Sequence, residues 1–288
     1  MPLIDYIFLL SVIIINYKYK GGYIMKLYLS ADIEGTCGIV NWDETKLECE
    51  FSQHYRTQMS KEIAAACDGA TQSGIHEILV KDAHDSGRNI NPDILPENVK
   101  ILRGWTKDPL VMMAGIDESF DACIFTGYHS GATCNGNPLS HTMDIDYDYF
   151  KINDEIASEF TINAYIAAYY NVPVAFLSGD EMLCESAKKL NPNIITVPVS
   201  RGIGNGSISI HPNLALKKIE KGVKEALSGD LSKHLIKLPD KFKIEIKFRE
   251  HYKAFKASFY PNMKKIDSQT ILFETEDYYE FLRMLLFI

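Results

Sequence analysis

From Met25 onward, short apolar runs alternate with longer stretches in which apolar residues recur at helical spacing. Residues 26–31 read as a first strand, and a loop rich in Gly, Asn and Asp leads to a helix over 52–72, stopped by Gly74. Further strands are expected around Val80, at 99–102 and at 123–126, with a short helical turn at 111–114. Asn153-Asp154 after Phe150-Lys151-Ile152 is a hairpin-turn dipeptide, 159–170 has helical spacing, and 174–177 is the next strand. Residues 180–190 then read as a helix with an acidic start, 194–199 as a strand, and 212–227 as a long amphipathic helix. Strands separated by helices imply βαβ units and a mostly parallel sheet. The tail has another character: 242–248 alternates as K-I-E-I-K between phenylalanines, which suits a sheet with one solvated face, and 270–273 is its expected partner. The fold class is therefore α/β, with a mostly parallel sheet and flanking helices over 25–200, followed by a smaller α+β module over 201–288.

Composition narrows the function. A chain of 288 residues with 46% hydrophobic content has enough apolar surface for a full core. The net charge of −8 argues against a nucleic-acid partner, which needs a basic stripe facing phosphates. The six cysteines form no C-x-x-C pair, and Cys123 sits inside an apolar run, so their usage fits a reducing cytoplasm better than a disulfide framework. Residues 3–17 are apolar apart from Asp5, Ser11 and Asn16, yet this is shorter than the ~20 residues of a spanning helix and lacks the flanks of a signal peptide. Codons for Lys20-Gly21-Gly22 can spell a purine-rich ribosome-binding sequence before a start at Met25. Residues 1–24 are thus expected to be a translated upstream extension, and no membrane partner is expected.

The candidate chemistry sits where the strands end. Asp32 and Glu34 follow the first strand in D-I-E-G, His84 follows the second in K-D-A-H, and His129 follows the strand at 123–126 in T-G-Y-H. In an open α/β sheet the ligand site forms outside the carboxyl ends of the strands, so these side chains converge on one edge. Asp32 and Glu34, two residues apart in extended chain, face the same side. Glu159 opens the 159–170 helix, where the helix dipole alone is another reason for a carboxylate. Together these three carboxylates and two imidazoles are a mixed oxygen and nitrogen set that suits zinc or a similar divalent metal, with room for two ions. A solvated acidic loop and hydrogen-bonded structural histidines are the simpler alternative for each residue taken singly. His141, in the loop L-S-H-T-M, is either a surface histidine or a general acid, general base or nucleophile beside the metal. Asp180 and Glu181 read as helix capping, and His54, His76, His211, His234 and His251 as surface or structural residues. The glycine-rich stretch 201–206 lacks the Lys-Ser/Thr of a phosphate loop and reads as a loop near the substrate or a subunit interface.

The segments S-A-D-I-E-G, V-K-D-A-H, G-Y-H-S, L-S-H-T-M and S-E-F-T-I-N-A-Y-I-A-A-Y-Y-N-V-P-V together resemble the D-aminopeptidases of the DppA type, the M55 metallopeptidase family. The resemblance runs from Met25 nearly to the C-terminus, in the same order and spacing. It implies that Asp32 bridges two zinc ions, that Glu34, His84, His129 and Glu159 complete the ligand set, and that His141 is the catalytic histidine. It also implies a ring-shaped homo-oligomer, a decamer, with active sites on an inner chamber, and a substrate that is a short peptide with an N-terminal D-amino acid. The first 24 residues have no counterpart in the family pattern. A metallohydrolase for L-peptides or other amides, and a metal-dependent peptide-binding protein without turnover, are the two rival readings.

Overall fold

The computed structural model describes residues 25–288, so the expected upstream extension, 1–24, lies outside the described residues. The elements in chain order begin with β1 (Lys26–Ala31), α1 (Ser52–Gln72), β2 (Glu77–Asp82), β3 (Val99–Leu102), β4 (Ala122–Tyr128), β5 (Tyr147–Ile152) and β6 (Glu155–Ile156). They continue with α2 (Glu159–Tyr169), β7 (Val174–Asp180), α3 (Glu181–Leu190), β8 (Ile195–Ile203), β9 (Gly206–Ser209) and α4 (Pro212–Leu227). The tail adds β10 (Phe242–Phe248), α5 (His251–Ala257), β11 (Lys264–Lys265), β12 (Thr270–Thr275) and α6 (Tyr278–Phe287). Among the described residues, no helix is long and apolar enough to cross a membrane.

Two sheets result. The larger has seven strands in the order β3-β2-β1-β4-β7-β8-β9, parallel throughout except for β9. The smaller has five antiparallel strands in the order β11-β12-β10-β5-β6. This is the expected α/β architecture with an α+β module. The smaller sheet draws strands from both sides of residue 200, because β5 pairs with β10, and α4 packs on α1 and on β7 and β8 of the larger sheet. The glycine-rich stretch 201–206 is not a loose loop: Arg201 and Gly202 pair with Ile208 and Ser207 in an antiparallel hairpin at the sheet edge. Asn153 and Asp154 do form the tight turn between β5 and β6, with φ of 53° and 70°, the paired left-handed values that a two-residue hairpin turn takes.

Period-two alternation along β1 explains how one strand serves two cores. Leu27, Leu29 and Ala31 join Met59 and Ile63 of α1 and Ile219 and Val223 of α4 on one face. Tyr28 points the other way, into a cluster with Phe125, Phe160 of α2, Phe242 of the smaller sheet and Phe281 of α6. Strands buried on both faces read as continuous apolar runs, which is why β4 and β7 are legible in the sequence. Burying each such side chain contributes about 1.5–3 kcal/mol. On α1, Met59, Ile63, Ala66, Cys67 and Ala70 are buried at the spacing of one helical face.

The contact between α1 and α4 is close enough to forbid a side chain. A Cβ on Gly69 would lie 2.4 Å from the carbonyl oxygen of Glu220, a backbone atom that cannot rotate away. Gly69→Val is therefore expected to lower unfolding free energy by about 1–3 kcal/mol through forced separation of the helices. Urea denaturation measures it, and an unchanged midpoint would show that the helix pair does not carry the stability assigned to it.

Candidate metal centre

The strand order places the site. Chain order moves from β1 outward through β2 to β3, then returns to β4 on the other side of β1, so the crevice beyond the carboxyl ends of β1 and β4 is the switch point at which such sheets bind ligands. Asp32 follows β1, His84 follows β2 and His129 follows β4 directly. The main chain is drawn tight here: Asp32 N donates to Thr126 O at 2.9 Å and Gly35 N to Gly127 O at 2.8 Å. Two glycines are required for this approach. A Cβ on Gly35 would stand 1.7 Å from Tyr128 O, and one on Gly127, whose φ is +69°, would stand 2.2 Å from Asp32 O.

The five candidate ligands meet, and all are buried. Asp32 lies at the centre. Its Oδ1 is 3.4 Å from His84 Nδ1, and its Oδ2 is 3.5 Å from His129 Nε2. His84 Nδ1 is also 3.0 Å from Glu34 Oε1, and His129 Nε2 is 3.3 Å from Glu159 Oε2. Two triads able to hold a metal therefore share Asp32: Asp32, Glu34 and His84 on one side, Asp32, His129 and Glu159 on the other. Ligand atoms 2.0–2.2 Å from a tetrahedral zinc stand about 3.3–3.6 Å apart, close to these spacings. The donor atoms fit a cation in a second respect. Asp32 Oδ2, Glu34 Oε2 and His129 Nε2 are buried and make no hydrogen bond, an arrangement that is unfavourable unless something positive faces them.

Electrostatics says the same. Burial, then Glu34, push the Asp32 carboxyl well above the usual carboxylate range. For His129, burial works downward, but Glu159 outweighs it and holds the imidazole up at about 10. Burial likewise opposes ionisation of Glu159, yet His129 and His141 bring it down to about 2. Protons on the histidines are thus the positive charges that offset these carboxylates, and a divalent cation bound here would replace them, because ligands bind in their deprotonated form.

His141 joins the cluster from the loop after β4. Its ring stacks on His129 at 4.4 Å and 6°, and Trp42 meets it edge-on at 5.2 Å. The Nδ1–H of His141 donates to Leu139 O at 2.9 Å, which leaves Nε2 facing Glu159 Oε1 at 3.5 Å. Glu34, His129 and His141 also form a group whose ligand atoms lie within 4.8 Å of one another, so His141 is within reach of a metal.

Several supporting residues escaped the sequence reading. Asp180 does cap α3 through Leu183 N, and it also accepts from Ser130 N and Ser130 Oγ at 2.6 Å each, fixing the residue after His129. His129 Nδ1–H donates to Ser130 O at 2.9 Å, turning Nε2 into the site. Asn137 Nδ2 donates to Glu34 O, and Asp82 accepts from Asn89 N and Ile90 N while Asn89 Nδ2 holds His84 O. Glu62 of α1 accepts from Cys37 N behind the D-I-E-G loop, and burial raises it to about 7. Asp82 stands within the K-D-A-H motif and was the one signal available. The others act across sequence separations of up to 103 residues. Glu159 sits one position inside α2, behind Ser158 as the cap, so its side chain is free to turn toward His129 and to accept from Met143 N at 2.7 Å.

Asp32, Glu34, His84, Glu159 and His141 line a cavity of about 570 Å³, a size usual for small-ligand sites. Its walls include Trp42, Trp105, Met112 and Met143. A model of the D-aminopeptidase family matches residues 25–287. The chain belongs to that family. A D-aminopeptidase of Bacillus subtilis (strain 168) is 30% identical over 260 residues, which cover 89% of this chain and 93% of the relative. The family fold is also matched by a solved structure described as the zinc-dependent D-aminopeptidase DppA from Bacillus subtilis, a self-compartmentalizing protease. That structure superposes with a TM-score of 0.84 at 28% identity, covering 91% of this chain and 96% of the other.

Asp32→Asn keeps the shape of the central side chain and removes the charge shared by the two triads. Bound divalent metal, read by elemental analysis after loading and desalting, is expected to fall sharply. The metal-free variant should melt no lower than the metal-free parent, because burial and Glu34 already drive the Asp32 carboxyl toward its neutral form, which the amide resembles. Unchanged metal content would take Asp32 out of the centre.

Proposed function

We propose that the protein is a zinc-dependent aminopeptidase that releases an N-terminal D-amino acid from short peptides such as D-Ala-D-Ala. The observation that carries this reading is the sharing of Asp32 between two triads, with His141 stacked beside one of them. In it, Asp32, Glu34, His84, His129 and Glu159 are the ligands of two zinc ions. The ions supply Lewis acidity toward the scissile carbonyl and bring water's acidity toward neutral pH, from 15.7 to about 7.

The protein's own residues do the rest. Asp180, Ser130 and Asn137 fix the donor atoms before substrate arrives, so little reorganisation accompanies the reaction. Water's oxygen joins the acyl carbon, the C–N bond breaks, and the leaving nitrogen takes a proton. His141 carries that proton at Nε2, because its Nδ1–H is committed to Leu139 O and Nε2 faces the Glu159 carboxylate 3.5 Å away. The stack on His129 and the edge of Trp42 keep the ring in this orientation.

The reading extends to assembly and setting. The self-compartmentalizing description of the Bacillus subtilis structure supports a closed homo-oligomer here; the family resemblance makes it a decamer, with the 201–288 region taking part in subunit packing. The six cysteines are all free, which supports a cytoplasmic setting. Zinc-loaded protein given D-Ala-D-Ala should release D-alanine and should act far more slowly on L-Ala-L-Ala, while sedimentation of the same sample reads a decamer. Equal rates on the two peptides would replace D-selectivity with a general amide hydrolase.

His141→Ala should keep its zinc and its assembly state and lose at least ~10²-fold in kcat, the low end of a positioned acid or base. Loss of zinc in proportion to activity would make His141 a ligand instead.

A further inference from the structure

The cavity that holds the metal-binding cluster is also lined by two cations that no described residue pairs with. Lys46 and Lys107 both line the cavity, and neither forms an ion pair or a side-chain hydrogen bond with a described residue. Other lysines are paired, Lys243, Lys247 and Lys264 each within 2.8 Å of a carboxylate, or lie unpaired outside the cavity, so what sets Lys46 and Lys107 apart is their place in its lining. The cavity is otherwise acidic, since Asp85, Asp108 and Asp144 line it in addition to the carboxylates of the cluster. An anionic group entering such a space needs a cation at the point where it comes to rest.

The backbone around Lys107 is strained. Lys107 has a φ of 65°, a left-handed conformation uncommon for a residue with a side chain, and Val111, at 48°, is β-branched, for which such a value is an outlier. Asp85 and Met143, at 40° and 66°, line the same cavity. Strain of this kind persists only where the neighbouring structure over-determines it, and it gathers at binding sites. Here the surroundings do so: Gly104 N donates to Gly87 O at 2.7 Å, and Trp105 Nε1 donates to Asp85 O at 2.5 Å, two residues before Lys107. Lys46 follows Trp42, the ring set against His141, and Thr45 fastens that turn by donating through Oγ1 to Trp42 O at 3.0 Å. Each lysine thus follows, within four residues, a tryptophan that lines the cavity.

We infer that Lys46 and Lys107 bind the C-terminal carboxylate of the substrate, so that the enzyme selects short peptides with a free carboxyl end. The inference rests on the aminopeptidase reading above. With the amino end and scissile carbonyl held at the cluster, the carboxylate of a short peptide lies on the leaving-group side and meets the lysines, whereas a longer or amidated chain brings no charge there. Charge-assisted contacts of this kind are stronger than neutral ones and act mainly on binding.

The test compares D-Ala-D-Ala with D-Ala-D-alaninamide on the zinc-loaded protein. The free acid should have a kcat/KM about tenfold higher, carried by KM, and in the double variant Lys46→Gln/Lys107→Gln the ratio should fall toward one. A ratio near one in the parent protein, or a ratio unchanged by the double variant, would overturn the inference while leaving the aminopeptidase reading intact. If the parent cleaved neither peptide, the aminopeptidase reading would fall. The same comparison would then be made as dissociation constants by calorimetry: a preference for the acid that the double variant abolishes supports the lysine site, and equal binding removes it.

Discussion

The close passage of the D-I-E-G loop over the end of β4 is the constraint on which the site depends. Gly35 and Gly127 allow the two backbones to approach within hydrogen-bonding distance, and any side chain at either position would meet a carbonyl oxygen. Because that approach occurs at the sheet's switch point, Asp32 is delivered between His84 and His129 instead of beside only one of them. The sharing of Asp32 is thus a product of main-chain geometry as much as of side-chain identity. The loop is held at Cys37 N by Glu62 and at Glu34 O by Asn137.

Crowding three carboxylates together in a buried place is unfavourable unless charge is neutralised, and the molecule shows what that requires. Histidines retain protons far above their ordinary range, with His129 at about 10, and the central carboxyl of Asp32 is driven toward its neutral form. Burial makes ionisation difficult for each group taken alone, yet the groups are packed so that each partly offsets another. A cluster of this sort has strong affinity for any compact cation that reaches it, which ties the identity of the bound metal to availability and donor type instead of to size alone.

Much of this was legible in the sequence because it depends on local pattern. The parallel strands are buried on both faces and read as apolar runs, and the chemistry-bearing residues follow them immediately, so Asp32, Glu34, His84 and His129 could be placed at one edge before any coordinates. The Asn153-Asp154 turn was legible because its residue types tolerate positive φ. What escaped was non-local. That β5 crosses to pair with β10, and that α4 returns to the larger sheet, depends on partners far away in the chain. The hairpin formed by β8 and β9 hid behind glycines, which signal conformational freedom without saying whether a ladder uses it. α5 and α6 were not anticipated, since short apolar stretches with aromatic residues read equally well as strands or helices. Asp180 was read correctly as a cap, but its grip on Ser130 spans 50 positions and has no local signature.

The placement of β5 has a consequence for how the protein is made. His129 and His141 precede that strand and Glu159 follows it, so the segment joining the two sides of the centre is anchored in the smaller sheet. Its partner β10 lies much later in the chain; Tyr149 bonds to Glu245 across 96 positions. A polypeptide still emerging from the ribosome therefore lacks the strand that secures the return to Glu159 until more than four-fifths of its length has been synthesised. The larger sheet has all its strands by Ser209, before β10 begins at Phe242, so the brace on the return to Glu159 arrives after the sheet that carries the other candidate ligands.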